Sequence, residues 1–300
     1  MYWLEVSVQA DREAAEAVSG IFAEYAYAGG VAIDESIEPS PDGDGFSYLD
    51  KPVTIKAYIP VDDQAGEKIE NLRLALDHLS FLRPVTPLTV RRLAEEDWEN
   101  AWKEHYHVLH VGRHLVIVPS WREHSPQDGD VIIRLDPGMA FGTGLHPTTR
   151  CCLQRLEDTV QPGMSVLDVG TGSGILALAA ARLGAATVLA VETDPVAVKA
   201  ARSNVDLNGL AQVITIREGS LPLPEPATFD VVVANIIARV IVELARPLAA
   251  VVRPGGILVA SGIIVDRAAM VEQSLHQAGL QLVQRDINGD WVTLSLAKSS

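Results

Sequence analysis

From Ser165 onward, two kinds of segment alternate: short apolar runs, and longer stretches in which apolar residues recur at the helical period. Short apolar runs predict strands at 165–169, 187–192, 213–217, 229–234 and 256–261. The apolar residues between these runs recur at the helical period, which predicts helices at 175–183, 195–208, 238–252 and 266–278. Strands and helices that alternate in this way form a parallel sheet with helices on both faces. Asn288-Gly289 then joins two alternating runs, which predicts a terminal antiparallel hairpin.

The N-terminal part of the chain follows a different pattern. Strands are predicted at 2–9, 30–35, 53–59 and 85–93, helices at 11–28 and 64–79, and a turn-rich loop at 39–45. The order βαββαβ predicts a small ferredoxin-like α+β domain, which either recognises a substrate or is a structural appendage. We divide the chain into this domain at 1–93, a linker helix at 94–107 that carries Trp98 and Trp102, and a C-terminal domain at 108–300. Short strands at 114–119 and 130–135 begin the last of these.

A glycine-rich turn follows the first strand of the regular region, in Asp168-Val-Gly-Thr-Gly-Ser-Gly174. Glycines let the backbone pass close to a ligand, and Glu192, at the end of the next strand, is placed to accept hydrogen bonds from ribose hydroxyls. The dinucleotide fingerprint needs its third glycine where Ile175 stands. The spacing therefore resembles the S-adenosylmethionine (AdoMet) site of class I methyltransferases more than a nicotinamide site. Gly219-Ser220, after the third strand, are expected near the adenine.

The fourth strand ends in Asn235, which is followed by Ile236, Ile237 and Ala238. Amine methyltransferases with Asn-Pro-Pro-Tyr at this point hold the nucleophilic nitrogen with the Asn oxygen and a neighbouring backbone carbonyl. The aromatic residue that would stack on a flat base is missing here, which favours a flexible aliphatic amine. In the alternative interpretation, Asn235 only caps the following helix.

Upstream, the glycine-rich segment 135–149 leads into a helix whose first turn is suited to Pro147. It is either a mobile loop that covers a cofactor or an ordinary structural loop. His146, near its end, is a candidate general base or a structural histidine.

Composition narrows the functional classes. The formal net charge of −15 argues against broad nucleic-acid binding, and it fits either a basic partner or a surface that keeps the protein in solution. No apolar run reaches the ~18–20 residues that span a bilayer, and residues 1–5 do not resemble a secretory signal, so we expect a cytoplasmic protein. The adjacent Cys151 and Cys152 are expected in a helix core. His105, His107 and His110 lack accompanying acids or cysteines, so no metal is expected.

Three segments together closely resemble the ribosomal protein L11 methyltransferase family: Asp136-Pro-Gly-Met-Ala-Phe-Gly-Thr-Gly-x-His-Pro-Thr-Thr149, the glycine-rich turn, and Ala234-Asn-Ile-Ile237. The resemblance covers essentially the whole chain. It implies a Rossmann-like doubly wound sheet, AdoMet as methyl donor and S-adenosyl-L-homocysteine as product. It also implies trimethylation of lysine side chains and of the N-terminal α-amine of one large-subunit ribosomal protein, with the N-terminal domain recognising that substrate.

By motif position, the family's cofactor contacts carry over to Thr149, Gly170, Glu192 and Asn235. The family often has Asp at the position that Glu192 occupies here. Further candidate cofactor residues are Gly172, Phe141 and Thr143, and Asn235 is the candidate catalytic residue. We expect a monomer without membrane or direct nucleic-acid contacts. The alternatives are an AdoMet-dependent methyltransferase acting on a small molecule or nucleic acid, and a non-catalytic module that binds AdoMet.

Overall fold

The computed structural model describes residues 2–26, 31–34, 37–39, 46–48, 52–80, 83–94, 106–136 and 142–299. The chain divides into two compact units, Met1–His105 and Tyr106–Ser300. Within the described ranges, no helix is both long and apolar enough to cross a membrane.

In its described residues, the N-terminal unit shows a four-stranded antiparallel sheet and two helices. Its elements are β1 (Tyr2–Ala10), α1 (Arg12–Tyr25), β2 (Val31–Asp34), β3 (Ile37–Pro39), β4 (Phe46–Tyr48), β5 (Val53–Pro60), α2 (Ala65–Ser80) and β6 (Thr89–Ala94). The sheet order is β2-β5-β1-β6, and β3 pairs with β4 in a separate two-stranded sheet. Asp11 caps α1 by accepting a hydrogen bond from the Ala14 amide at 2.7 Å. The inward residues of β1, such as Val6 and Val8, pack with both helices in one apolar cluster.

The C-terminal unit is built around a seven-stranded sheet. It begins with β7 (Leu109–Val111), β8 (Leu115–Pro119), β9 (Val131–Leu135) and α3 (Pro147–Thr159). The central elements are β10 (Ser165–Val169), α4 (Ile175–Arg182), β11 (Thr187–Glu192), α5 (Pro195–Leu207), β12 (Ile214–Glu218) and β13 (Phe229–Asn235). The last elements are α6 (Ala238–Glu243), α7 (Ala245–Val251), β14 (Val252–Ile264), α8 (Val265–Gln277), β15 (Leu280–Asn288) and β16 (Trp291–Lys298).

The strand order of the large sheet is β12-β11-β10-β13-β14-β16-β15. Neighbours from β12 to β14 are parallel, and β16 is antiparallel to both β14 and β15. The predicted doubly wound parallel sheet with a terminal hairpin is therefore confirmed. Successive residues of β10 face opposite sides: Val166 packs in an apolar cluster with α3 and α4, and Leu167 in one with α6, α7 and α8. Cys151 and Cys152 are buried in α3, as expected.

The strand order reverses at β10, because β11 lies on one side of it and β13 on the other. In such sheets the connections leave the carboxyl ends of these strands in opposite directions and open a crevice between them. The glycine-rich turn after β10, Glu192 and Asn235 are all at this edge. The topology therefore brings the predicted site residues of three strands together.

The prediction of one continuous helix at 238–252 is wrong. It divides at Leu244 into α6 and α7, and the chain is already extended from Val252. Pro247 explains the division, because it has no N–H to donate to the carbonyl of Glu243 and its ring clashes with that carbonyl. Strands β3, β4 and β7 were not predicted. Residues 95–105 of the predicted linker helix, with both tryptophans, and residues 40–45 of the predicted loop lie outside the described residues.

Candidate active site

A cavity of ≈ 400 Å³ lies at the carboxyl edge of the large sheet. Its wall is formed by the turn after β10, the end of β11, the segment after β12, the end of β13 and the first turns of α3, α4 and α6. Residues lining it are Gly142, Thr149, Val169, Gly170, Thr171, Gly172, Ile175, Leu176, Glu192, Thr193, Gly219, Ser220, Asn235, Ile236, Ile237, Val240 and Leu244. This is where the reversal in strand order predicts a ligand.

The turn at 170–174 forms one wall through its glycines. Gly170 and Gly174 have φ of 74° and 87°, a region that disfavours any residue with a Cβ. A Cβ on Gly170 would lie 2.5 Å from Cγ2 of Ile236 on the facing segment. Gly170 is therefore required both for the direction of the turn and for the space beside the cavity.

Glu192 is held rigidly at the end of β11. One carboxylate oxygen accepts hydrogen bonds from the amides of Thr193 and Asp194, at 2.7 and 3.0 Å, and the other accepts from the amide of Gly172 at 2.9 Å. The helix that follows has its own cap, because the Asp194 side chain accepts from the Val196 amide. Glu192 is thus not the helix cap, and its carboxylate faces the cavity with acceptor capacity remaining.

At the other end of the cavity, the side chain of Asn235 is oriented by α3. Its Nδ2 donates to Oγ1 of Thr149 at 3.2 Å, and Thr149 is 1% exposed. Since the amide nitrogen is used in this bond, Oδ1 of Asn235 is available as an acceptor. No side-chain cap is formed on α6, whose N-cap residue is Ile237, so the capping interpretation of Asn235 is wrong.

Comparison with known proteins gives the family of this chain. The family model described as "Ribosomal protein L11 methyltransferase (PrmA)" matches residues 2–299. The chain belongs to the ribosomal protein L11 methyltransferase family. A protein of that name from Chloroflexus aurantiacus is 48% identical over 97% of each chain, and one from Herpetosiphon aurantiacus is 44% identical over 99% of each. The crystal structure of ribosomal protein L11 methylase from Lactobacillus delbrueckii subsp. bulgaricus, 37% identical, superposes with a TM-score of 0.61 over 65% of this chain and 100% of that one.

The resemblance drawn from the motifs is confirmed, and with it the Rossmann-like fold of class I methyltransferases. The protein is an AdoMet-dependent protein methyltransferase. The cavity fits this cofactor, because a Cβ on Gly170 would fill the glycine cradle and Glu192 offers a fixed acceptor for paired hydroxyls. Among the described residues, no group of three or more His, Cys, Asp or Glu side chains is arranged to hold a metal.

Asp168, at the end of β10 just before the glycine turn, is a third feature that fits AdoMet. It is fully buried, and its Oδ2 accepts from Oγ1 of Thr171 at 2.6 Å and from the Ala177 amide at 3.1 Å. Its Oδ1 has no hydrogen-bond partner in the part of the chain that the structure describes. Burial, with a smaller contribution from the charge of Glu192, raises the pKa of Asp168 to about 7. A cationic ligand nearby would offset this cost, and AdoMet carries positive charge.

Asp168 should therefore lower the stability of the ligand-free protein as pH rises. The pKa of this carboxyl group is higher in the folded than in the unfolded protein. Its contribution to the free energy of unfolding is therefore most favourable below about pH 4 and is lost as pH rises through about 7. Asp168→Asn keeps the shape and removes the titration. We expect the stability of the variant relative to the wild type to increase with pH across this range, and to level off above about pH 7 at a gain on the order of a few kcal/mol. Urea unfolding of the ligand-free proteins at several pH values measures the difference.

Asp230→Asn is the matched control for this prediction. Hydrogen bonds from Ser165 and the charge of Arg253 lower the pKa of Asp230, so its contribution is present at neutral pH and is lost as pH falls. The two variants should consequently depend on pH with opposite signs. A pH-independent difference between Asp168→Asn and the wild type would contradict the account of Asp168.

Five of the predicted cofactor residues line this one cavity: Thr149, Gly170, Gly172, Glu192 and Asn235. Thr143 is not part of the described wall; its carbonyl accepts a hydrogen bond from the hydroxyl of buried Tyr106. Phe141 lies outside the described residues. The roles of all seven as cofactor ligands remain predictions.

His146 has structural contacts. It is the N-cap of α3, where Nδ1 accepts from the Thr148 amide at 3.3 Å, and Pro147 follows at the first helical position as predicted. Its ring lies edge-on to Trp291, with centroids 4.8 Å apart. Burial lowers the pKa of His146. It is not among the residues of the cavity wall, so the structure favours the structural interpretation over a general base.

Asn204 was missed by sequence reasoning, although it fixes both the glycine turn and the start of the upstream loop. It is fully buried on α5; its Oδ1 accepts from the Asp136 amide at 2.8 Å, and its Nδ2 donates at 2.9 Å to the carbonyls of both Asp136 and Ser173. The Ser173 hydroxyl in turn donates to the Gly142 carbonyl at 2.6 Å. A buried Asn in a helix was the available signal, since buried polar groups need partners.

Proposed function

We propose that this enzyme methylates amines of ribosomal protein L11, namely lysine side chains and the N-terminal α-amine, up to the trimethyl state. The curated relatives bear the name of that substrate. The observation that carries the proposal is the Asn235–Thr149 pair beside an aliphatic wall at the end of the cavity. An amine needs an acceptor for its N–H groups and apolar surroundings for its alkyl chain, and this end of the cavity supplies both.

A lysine amine must lose a proton before it can react, because its ammonium form, with a pKa of ~10.4, has no lone pair. AdoMet supplies an electrophilic methyl group on a positively charged sulfonium. Ile236 and Ile237 line the cavity directly after Asn235, and the side chain of Ile237 is 60% exposed at its rim. Desolvation against this aliphatic surface, next to a positive charge, favours the neutral amine.

Asn235 then orients the nitrogen. Its Nδ2 is bound to Thr149, so its Oδ1 is presented to accept an N–H of the neutral amine and to fix the direction of the lone pair. An amine that already carries two methyl groups has no N–H in its neutral form. The third transfer would therefore depend on the aliphatic wall more than on Asn235.

The proposed organisation assigns residues 1–93 to a substrate-recognition domain, 94–107 to a linker and 108–300 to catalysis. The sheet order β2-β5-β1-β6, with both helices in one core, supports a ferredoxin-like arrangement of the first domain. A net charge of −15 would favour a basic protein partner. A ribosomal-protein substrate supports a cytoplasmic location.

The test is to incubate the full chain and methyl-labelled AdoMet with dissociated large ribosomal subunits and to separate protein from RNA. We expect label in a single ribosomal protein of L11 type. Label confined to the RNA, or absence of label from both fractions with active cofactor, would refute the proposed substrate class.

A further inference from the structure

Ser173, in the glycine turn after β10, is bonded through both its hydroxyl and its carbonyl. The hydroxyl donates to the carbonyl of Gly142 at 2.6 Å, and the carbonyl accepts from Nδ2 of Asn204 at 2.9 Å. Ser173 and Asn204 are both fully buried, where a polar group needs such partners. The turn is therefore joined to two other segments of the C-terminal unit, the upstream segment at Gly142 and helix α5.

Asn204 also holds the backbone where β9 ends. β9 is the last strand of its sheet and pairs with β8 on one side. On the other side, Asn204 accepts from the amide of Asp136 at 2.8 Å and donates to its carbonyl at 2.9 Å. Asn208, at the end of α5, makes the same pair of bonds to Arg134, at 3.0 and 2.7 Å. Alternate residues of a strand present their backbone groups to the same edge, so these two side chains take the place of a neighbouring strand.

The two asparagines differ in their third bond. Nδ2 of Asn204 reaches the carbonyl of Ser173 in the glycine turn, whereas Nδ2 of Asn208 donates back to the carbonyl of Asn204 in its own helix. Asp136 and Gly142 are consequently both attached to Ser173. Asp136 is attached through Asn204, and Gly142 is attached directly.

Gly142 is the point where this attachment reaches the cavity. It lines the cavity, while Ser173 and Asn204 are not among the residues of the described wall. Its φ is 100°, and a Cβ on it would lie 2.8 Å from Oγ of Ser173 and 3.4 Å from Cγ2 of Ile175. Glycine is therefore what lets the upstream segment lie so close to the turn. The Ser173–Gly142 bond holds two parts of the cavity wall together.

We propose that Ser173 and Asn204 are positioning residues for AdoMet, which fasten the upstream segment to the glycine turn and so keep Gly142 in the cavity wall. Without them the cofactor would have to bring these parts of its site together as it binds. Its apparent affinity would then fall in proportion to the fraction of molecules in which they are already together. Neither residue touches the cofactor in this role. The inference concerns the methyl donor alone, so it does not depend on which amine is methylated.

A matched pair of serine variants in the full chain tests the direct bond. Ser173→Ala removes the hydroxyl that donates to Gly142. Its control, Ser165→Ala, removes a hydroxyl that donates to Asp230 at the same distance of 2.6 Å, at the start of β10 and away from the described cavity wall. Both variants lose a side-chain hydrogen bond, and only the first loses the link to the upstream segment.

A matched pair of asparagine variants tests the bond through α5. Asn204→Ala and Asn208→Ala each remove a side chain with three hydrogen bonds, two of them to the backbone of Asp136 or Arg134. Only Asn204→Ala also removes the bond to Ser173.

Calorimetric titration with AdoMet and with S-adenosyl-L-homocysteine gives the affinities, at a temperature where thermal unfolding shows each variant to be folded. We expect Kd for both ligands to rise roughly 3- to 10-fold in Ser173→Ala and about 10-fold or more in Asn204→Ala. Ser165→Ala and Asn208→Ala should lose stability and keep the wild-type Kd. A purely structural role would lower the unfolding temperature of all four variants and leave Kd unchanged in each.

A second measurement uses the wild-type protein and so does not depend on any variant folding. Linkage requires that AdoMet stabilise the contacts that raise its affinity. Hydrogen exchange of the Asp136 amide, which donates to Asn204, should therefore slow on addition of AdoMet more than exchange of the Arg134 amide, which donates to Asn208. Equal Kd values within either matched pair, or equal slowing of the two amides, would overturn the proposal. None of these measurements uses a methyl acceptor, so a failure to methylate the ribosomal protein would refute the proposed function alone.

Discussion

Gly170→Val is expected to abolish AdoMet binding. Gly170 has a φ of 74°, which valine strongly disfavours, and the first added carbon would lie 2.5 Å from Cγ2 of Ile236. The branched side chain would also extend along the cavity wall where the cofactor is expected. Calorimetric titration with AdoMet measures the effect, and thermal unfolding shows how much of the loss comes from the fold.

Gly163→Val is the control for this prediction. Gly163 has a similar φ of 90° in the turn before β10, but nothing lies within 4 Å of its added Cβ, and it is not part of the cavity wall. Both variants should lose stability through backbone strain, and only Gly170→Val should lose the cofactor. Retained AdoMet affinity in Gly170→Val would mean that the cofactor does not bind against this turn.

The second large effect is expected for Asn235→Ala. Removal of the amide takes away the acceptor that orients the amine, and misplacement of a reacting group by about 1 Å costs roughly 100-fold in rate. We therefore expect kcat to fall roughly 100-fold or more, with AdoMet affinity retained to within about tenfold because the glycine turn and Glu192 are intact. The transfers to the primary and monomethylated amine should lose more than the third, since only their acceptors carry an N–H when neutral.

Thr149→Val separates the orientation of Asn235 from its presence. Valine keeps the shape of this buried residue but removes the oxygen that accepts from Nδ2 of Asn235. The amide can then turn, so kcat should fall by less than in Asn235→Ala. If turnover in Asn235→Ala were unchanged, measured with the same ribosomal-protein substrate, Asn235 would have no role in catalysis.

Much of the fold was predictable because its signals are local. The alternation of apolar strands and amphipathic helices, together with Asn288-Gly289, predicts a doubly wound sheet with a terminal hairpin, and this is what the chain forms. Since parallel strands end at the same edge, the positions of Gly170, Glu192 and Asn235 in the sequence suffice to bring them to one cavity.

The remainder depends on contacts between distant segments. The Asn235–Thr149 bond joins residues 86 positions apart, and Thr149 was identified only through the resemblance to the family. Pro247 was a signal for the division of the predicted helix at 238–252. The apolar residues keep the helical period on both sides of it, however, and so predicted one helix.

In the proposed mechanism, Asn235 and the aliphatic wall after it hold an amine of a protein. Tandem mass spectrometry of ribosomal protein L11, methylated to completion by the wild-type enzyme, tests it most directly. We expect methyl groups only on lysine Nζ atoms and the N-terminal α-amine, with trimethylated species accumulating, and we expect these products to be lost with Asn235→Ala. Methyl groups on carboxylate, imidazole or guanidinium groups, or the same products from Asn235→Ala at the same rate, would contradict it.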